Sequence, residues 1–446
     1  MRVGSSRRSL GPRAAARATA AALALAATLA LATAVAAVAA PPARAGGPLT
    51  QTLGSGAWIW FSDPRAVYYA GKHRATYAAW VNGQGNAMLA SYDHDTHVVS
   101  TVVLKYGVGR DDHANPTLLM LPDGRLMAFY SSHGGKRIYY RRTQFPEDIA
   151  SLQRERLVPT KSGRFGATYP QPIRLGRERG RIWLFWRGSD WQPAFSNSAD
   201  GRRWTRPRTL IEETIPGKRH RPYLKVASEG FDTMHFAFTE AHPGRYPTSI
   251  YYVKYREGLF YTAGGRTIGS LSTLPLKPEQ ADKVYDAKVR GVRAWVYDIA
   301  ADPIGRPVIV YDEIYRHDDH RYRYARGTEF GWQDNEIASA GPAITNTPGW
   351  YSAGISLDHE DPRIVYMSRK VDGRYQIERW FTNDGGETWQ STAITRGATE
   401  PNLRPVSPRG LLENDVLLWM RGEYPNYRRF RTSIWITRAT AAPPSK

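Results

Sequence analysis

The chain has 446 residues, no cysteine and a formal net charge of +20 at pH 7. The absence of cysteine excludes a disulfide-stapled fold and zinc sites built on thiolates. The 26 tyrosines and 14 tryptophans favour strands over helices, and no segment beyond the N-terminus has a sustained helical period.

Residues 1–45 have the features of an export signal. Arginines, including the pair Arg7-Arg8, precede an Ala/Leu run over 18–40, and Ala43-Arg44-Ala45 fits the small-x-small cleavage rule. An uncleaved anchor is the alternative, because the run is long enough to span a bilayer. The weak apolarity of alanine favours cleavage after position 45. We therefore predict a signal peptide over 1–45 and a secreted, extracellular protein that has no membrane attachment after signal cleavage.

The mature chain stays strongly basic. Residues 1–45 hold six arginines and no acidic residue, so their removal lowers the formal charge from +20 to +14. Such a field attracts polyanions, although a solvated basic surface would give the same composition. Since export argues against a nucleic-acid partner, we expect an anionic polysaccharide.

Seven stretches of the chain are variants of one β-module. The clearest, residues 116–133, reads as an apolar strand, an Asp123-Gly124 turn, a second apolar strand and a polar tip. Second strands recur roughly 50–70 residues apart, which is typical of small sheets arranged radially. We predict an all-β, seven-bladed β-propeller that forms a single catalytic domain over 46–446. The second strands are expected at 74–82, 125–133, 180–187, 234–240, 305–312, 363–369 and 414–421.

Both ends of the mature chain are expected to contribute strands. The aromatic run 58–69 and the run 428–437 read as strands, and pairing elements from both ends in one blade would protect open edges. The longer, more polar stretch 262–296 is expected to carry an inserted loop or short helix. Residues 382–389 match the Asp box, a turn between outer strands of propeller blades, and 198–204 is a shortened version.

Several polar side chains are expected at blade starts and ends, where strand ends point toward the central channel. They suit β-elimination from a uronic acid. In that reaction an arginine such as Arg187 can neutralise the carboxylate. A base removes the C5 proton and an acid protonates the departing O4, and both need a pKa close to the working pH. The candidates are His113, His133, Tyr169, Arg187 and Tyr223, and Glu240 follows an equivalent strand.

Each candidate also has a structural explanation when taken singly. A histidine after a strand is often a hydrogen-bonded structural group, Tyr169 and Tyr223 could be core aromatics, and Arg187 could pair with Asp190. Their shared location at blade ends favours the catalytic interpretation.

Eight motifs of the chain match a known family: 58–67, 91–95, 111–116, 121–125, 221–223, 238–243, 357–362 and 404–410. With them the chain resembles the BNR-repeat propeller family, which includes seven-bladed ulvan lyases and lyases of rhamnose–glucuronate linkages. The resemblance implies that His113 and His133 are the paired histidines of the lyase site and that Tyr169 is its base or acid. Arg187 would neutralise the carboxylate, and Tyr223 would contact substrate with Asn115 and Arg221.

Metal chemistry is not required by this interpretation. No cofactor is expected, although some relatives hold a structural metal and a divalent ion stays an option here. The cluster 316–321 could offer ligands but reads better as a solvated loop, and 358–361 reads as a turn cap.

The expected function is a secreted, monomeric polysaccharide lyase that cleaves a uronate-containing anionic glycan, ulvan-like or with rhamnose–glucuronate linkages. A sialidase-like glycoside hydrolase and a non-catalytic carbohydrate-binding propeller are the alternatives. The residues leave open which group is the base and which the acid.

Overall fold

The computed structural model describes residues 50–160, 166–213, 222–345, 349–411 and 416–438, without the side chain of Ser189. The expected signal peptide, its cleavage site and Arg221 lie outside these ranges. Among the helices of the described residues, none has the length and apolarity needed to cross a bilayer.

In the described residues, thirty strands form seven small sheets, each built around a four-stranded antiparallel meander. This confirms the predicted seven-bladed β-propeller. In chain order the strands are β1 (Thr50–Ser55) of blade 7; β2 (Ala66–Ala70), β3 (Arg74–Val81), β4 (Ala87–Asp93) and β5 (Val99–Lys105) of blade 1; β6 (Thr117–Met120), β7 (Leu126–Tyr130), β8 (Ile138–Arg142) and β9 (Arg156–Val158) of blade 2; β10 (Thr168–Leu175), β11 (Arg181–Arg187), β12 (Pro193–Ser198) and β13 (Arg208–Thr209) of blade 3; β14 (Tyr223–Ala227), β15 (Thr233–Thr239), β16 (Ile250–Arg256), β17 (Leu259–Tyr261), β18 (Thr267–Ser270) and β19 (Asp282–Tyr285) of blade 4; β20 (Arg293–Ala301), β21 (Pro307–Arg316), β22 (Asp319–Thr328) and β23 (Gly331–Gly341) of blade 5; β24 (Ile355–Leu357), β25 (Ile364–Val371), β26 (Arg374–Phe381) and β27 (Gln390–Ala393) of blade 6; and β28 (Asn402–Val406), β29 (Val416–Asn426) and β30 (Arg429–Arg438) of blade 7.

The strand register decides which residues share a face of the propeller. In blade 3, Thr168 at the start of β10 pairs with Arg187 at the end of β11. In blade 4, Tyr223 at the start of β14 pairs with Thr239 at the end of β15. First-strand starts and second-strand ends therefore lie on one face, which we call the upper face.

Blade 7 closes the ring with strands from both ends of the chain, as predicted. Its order is β1-β30-β29-β28, and Thr50 pairs with Thr437. The pairing of β29 with β28 ends at Arg421, and the pairing of β30 with β1 ends at Ser433. Beyond these residues the two central strands, β29 and β30, continue to pair with each other. We call this two-stranded continuation, residues 423–431, the hairpin extension.

The Asp box of blade 6 lies between β26 and β27, where the sequence predicted it. Asp384 accepts hydrogen bonds from the backbone N–H groups of Glu387 at 3.0 Å and Thr388 at 2.9 Å. Gly385 and Gly386 take φ values of 78° and 98°, a conformation that glycine adopts without steric cost. The motif is therefore a turn that joins outer strands and takes no part in the site.

The aromatic run at 58–69 is a strand only in its last part, so the prediction of a continuous strand was wrong. Residues 57–64, the axial segment, instead contact the inner parts of several blades. Ile59 N–H donates to Asn115 at 3.0 Å, and Trp60 Nε1 donates to the carbonyl of Val296 at 3.0 Å. Trp60 also stacks on Tyr297 at a ring distance of 4.2 Å. Because blades surround the segment, it buries aromatic groups on all sides and has no exposed strand face.

The stretch 262–296 carries an insertion, as predicted. It contributes β18, β19 and the four-residue helix α1 (Ala287–Arg290) to blade 4. The side chain of Asp286 caps α1 by accepting from Lys288 N–H at 2.9 Å.

Candidate active site

Four predicted residues from blades 2 and 3 come together on the upper face. His113 lies in a single 3-10 turn, Asp112–Ala114, before β6, and His133 follows β7. Their rings stack at 4.2 Å with an angle of 13°. The ring of Tyr169, in β10, is 5.7 Å from that of His113, and the Arg187 guanidinium lies 4.9 Å from the Tyr169 ring. Blade register thus assembles residues that are 74 positions apart in the chain, from 113 to 187.

Two carboxylates hold the histidine pair. Asp111 contacts both rings: its oxygens lie 2.9 Å from Nδ1 of His113 and 2.9 Å from Nδ1 of His133. Asp112 lies 2.6 Å from the same Nδ1 of His113. Nε2 of His113 is also occupied, by the Tyr351 hydroxyl at 3.3 Å. His113 is therefore held at both ring nitrogens, whereas the contacts of His133 in the described residues use Nδ1.

Asp112 connects the histidine turn to blade 7. The Arg404 guanidinium donates to Asp112 at 2.5 Å and to the carbonyl of Trp58, and the Tyr424 hydroxyl donates to the same Asp112 oxygen. Arg404 and Asp112 are both fully buried. Breaking a buried ion pair of this kind strongly destabilises the fold, because the remaining charge is left without either its partner or water. The turn is thus fixed from a distant part of the chain.

The two histidines differ in protonation. Burial disfavours the imidazolium of His113, but Asp112 and Asp111 outweigh it and raise the pKa of His113 above its ordinary value. Burial and the charge of His113 lower the pKa of His133 to about 4, despite Asp111. The surroundings of His113 therefore favour its charged form more than water does, whereas His133 is neutral at neutral pH, and its Nδ1–H donates to Asp111 and leaves a lone pair on Nε2.

Tyr169 is a buried phenol with an unusual backbone. Its φ is 61°, a strained value for a residue with a side chain, and only 3% of its surface is exposed. The ring packs against Phe61 of the axial segment at 5.5 Å. Burial raises the pKa of Tyr169 well above its ordinary value, although the charge of Arg187 opposes this. The Tyr169 phenol is therefore protonated at neutral pH.

Arg187 is a buried cation among aromatic rings. Its guanidinium lies 4.3 Å from Trp191 and 4.4 Å from Tyr223, and 5% of the residue is exposed. Within the described residues, Nε and Nη1 are buried and have no hydrogen-bond partner. Unpaired buried donors are costly, and an anion bound beside Arg187 would accept hydrogen bonds from these two N–H groups.

The remaining predicted residues have different positions. Tyr223 lies beside the four, with its ring 6.2 Å from Tyr169. Asn115 is fully buried and accepts a hydrogen bond from the backbone of the axial segment at Ile59, so it supports the fold, and its contact with substrate stays a prediction. The Glu240 carboxylate accepts from Ser249 N–H at 3.0 and 3.1 Å; in the described ranges, its hydrogen bonds do not include the histidine pair.

Sequence reasoning missed several residues of the site. Asp111 and Asp112 belong to the motif 111–116, but the sequence analysis assigned them no role in the site. Trp191, Tyr351 and Tyr427 carried no motif at all. The Tyr427 ring lies 4.7 Å from His113 and 5.9 Å from His133, which only the hairpin extension makes possible.

Asp111, His113 and His133 are a group that could hold a metal ion, with ligand atoms within 4.8 Å of one another. The two Nδ1 atoms, however, lie 2.9 Å from Asp111 oxygens. Two ligands at roughly 2.0–2.1 Å from a tetrahedral zinc are roughly 3.3 Å apart. The shorter separations suit hydrogen bonds between imidazole and carboxylate better than shared coordination.

A family model described as a BNR repeat-containing family member matches residues 75–340, more than half of the chain. The chain belongs to the BNR repeat-containing family. This confirms the resemblance drawn from the motifs. Among curated proteins, none matches the chain significantly.

Solved structures similar to this member of the BNR repeat-containing family include two polysaccharide lyases. One is a PL25 ulvan lyase bound to -[GlcA(1-4)Rha3S]-, with 15% identity, a TM-score of 0.65 and coverage of 86% of this chain and 93% of that one. The second, polysaccharide lyase Uly1, has 12% identity, a TM-score of 0.56 and coverage of 85% and 91%. At such low identity these similarities establish the propeller fold alone.

Proposed function

We propose that the protein is a polysaccharide lyase that cleaves a uronate-containing anionic glycan by β-elimination. The observation that carries the proposal is the buried Arg187 guanidinium, with Nε and Nη1 unpartnered, beside a neutral histidine and a protonated tyrosine. A cation, an acceptor and a donor in one place are the groups that this reaction needs.

Arg187 is the group that meets the uronate carboxylate. The C5 proton of a uronate is weakly acidic because the adjacent carboxylate is anionic. Paired N–H donors on that carboxylate stabilise the charge that develops when the proton leaves. The aromatic rings around Arg187 exclude water and strengthen this electrostatic contact.

His133 and Tyr169 divide the proton transfers. Nε2 of His133 takes the C5 proton, the electrons of the C5–H bond form the C4–C5 double bond, and the bond between C4 and O4 breaks. The Tyr169 hydroxyl gives its proton to the departing O4. The charge of Arg187 then stabilises the phenolate, and solvent restores both groups after product release. Burial and the positive charge that Asp112 and Asp111 favour on His113 keep the pKa of His133 low.

The substrate class rests on charge and on the related fold. The whole chain has a formal charge of +20, and residues 1–45 contribute six arginines to it, so the rest of the chain carries +14. This positive charge favours a polyanion as substrate. The similar PL25 enzyme is an ulvan lyase bound to a glucuronate-containing repeat. We infer a uronate polymer of this kind and an extracellular site of action.

The test is ultraviolet absorbance of the new C4–C5 double bond across a panel of uronate polymers, with and without a chelator. An unsaturated product, formed equally in chelator, is expected. Saturated ends would identify a hydrolase, and binding without any product would identify a carbohydrate-binding propeller. Loss of activity in chelator would contradict the metal-free assignment of Asp111, His113 and His133.

A further inference from the structure

The hairpin extension, residues 423–431, lies against the histidine turn. Tyr424 bonds to Asp112, and the Tyr427 carbonyl accepts from Asp112 N–H at 2.9 Å. The extension comes from blade 7, whereas the turn precedes blade 2, so the contact spans blade 1. This wall of the site is built by the C-terminal part of the chain, far from the motif residues.

Arg428, at the tip of the extension, lies next to the proposed base. Its Nε is 3.2 Å from the Asp111 oxygen that also lies 2.9 Å from Nδ1 of His133. Since both nitrogens contact one oxygen, they lie within about 6 Å of each other.

Arg428 differs from Arg187 in exposure. Its side chain is 64% exposed, and its contacts in the described ranges involve Nε and the Tyr427 ring, 5.2 Å from the guanidinium. Asn426 Oδ1 fixes the turn by accepting from Arg428 N–H and Arg429 N–H, both at 2.9 Å. The rigid turn and the Asp111 contact orient the guanidinium, so its solvent-facing donors are pre-ordered for an anion.

The two arginines contact different neighbours of the histidine pair. Arg187 packs on Tyr169 and Trp191, whereas Arg428 packs on Tyr427, whose ring contacts His113 at 4.7 Å. A polymer whose uronate carboxylate lies on Arg187 would therefore extend past His133 toward Arg428.

We propose that the tip of the hairpin extension binds a second oxyanion of the polymer, a sulfate or carboxylate on a sugar next to the reacting uronate, with Arg428 as the residue that receives it. The inference rests on the proposed function and extends it to substrate specificity. The site at the tip of the hairpin extension would select polymers with anionic groups on successive sugars.

The experiment compares Arg428→Gln with Arg429→Gln, a matched control on the same turn. The substrates are an alternating uronate polymer that carries sulfate on its second sugar, the same polymer after chemical desulfation, and a polyuronate. Arg428→Gln removes one charge-assisted hydrogen bond at an exposed site, which should raise KM about tenfold for the sulfated polymer, for the polyuronate or for both. The polymer whose KM rises identifies the oxyanion that Arg428 binds. The desulfated polymer and Arg429→Gln should show no change.

A second readout separates binding from an indirect effect through Asp111. If Arg428 only binds substrate, the acid limb of the pH profile should be the same in Arg428→Gln and wild type. An equal loss on all three polymers, a shifted acid limb, or unchanged KM on both anionic polymers would overturn the proposal.

Binding can also be measured without turnover. In an Arg187→Met background, titration calorimetry with sulfated polymer and with polyuronate should show weaker binding of at least one when Arg428→Gln is added. This arm still tests the oxyanion site if the wild type forms no unsaturated product. Equal affinities for both polymers with and without Arg428 would refute the site even if the lyase activity were established.

Discussion

Replacing Arg187 with methionine tests the electrostatic core of the proposed mechanism. Methionine keeps much of the side-chain volume among Tyr169, Trp191 and Tyr223 but removes the cation. Removing one preorganised stabilising group costs about 100- to 1000-fold in kcat, or about 2.7–4 kcal/mol. We expect a loss of this size in turnover of a uronate polymer, followed by ultraviolet absorbance.

The same change should leave the fold intact. Arg187 buries Nε and Nη1 without partners, which costs about 1–3 kcal/mol, and its three ring contacts contribute about 0.5–2 kcal/mol each. These terms have opposite signs and similar sizes, so the net effect on the free energy of unfolding is small. A change of about 1 kcal/mol moves Tm by no more than about 4 °C in a domain of this size, which calorimetry can measure.

A matched control lies on the same strand. Arg181 begins β11 at the end opposite Arg187, is 38% exposed, and contacts Glu178 at 3.5 Å and Asn197 at 3.0 Å. Arg181→Met should keep wild-type turnover. If Arg187→Met kept more than about a tenth of wild-type kcat, Arg187 would stabilise the transition state far less than the expected 100- to 1000-fold effect requires. That result would refute the assigned role of Arg187.

Three further outcomes are expected. Because His133 must be neutral and its pKa is about 4, kcat/KM should fall only as pH drops toward 4, well below the limb of an ordinary histidine near pH 6.5; an acid limb near 6.5 would contradict the assignment. Tyr169→Phe should lower kcat about 100-fold or more because it removes the proton donor, while Tm stays near wild type; retained turnover would exclude that role. Asp112→Asn should lower the free energy of unfolding by about 3–5 kcal/mol in urea titrations, because it leaves Arg404 charged and buried. The control Asp123→Asn, on a 43% exposed carboxylate, should change it by less than about 0.5 kcal/mol.

The fold could be predicted from local patterns because each blade repeats one unit. Alternating apolar strands, an Asp-Gly turn and the Asp box at 382–389 depend on residues close in sequence, so their signal is visible in one chain. Closure between β1 and β30 followed from the need to cover strand edges. The aromatic run 58–69 has a composition that suits a strand throughout, but the surrounding blades bury its first part as the axial segment.

The sequence also determined which side chains meet. Once seven blades are counted, the ends of equivalent strands point to the axis, and His113, His133, Tyr169 and Arg187 converge. Only the tertiary structure decided their chemistry. The raised pKa of His113 and the lowered pKa of His133 depend on Asp111, Asp112 and burial, and Asp112 is held by Arg404, 292 positions away. Such distant contacts leave no periodic trace in a sequence, because electrostatic energies depend on separation and burial in space.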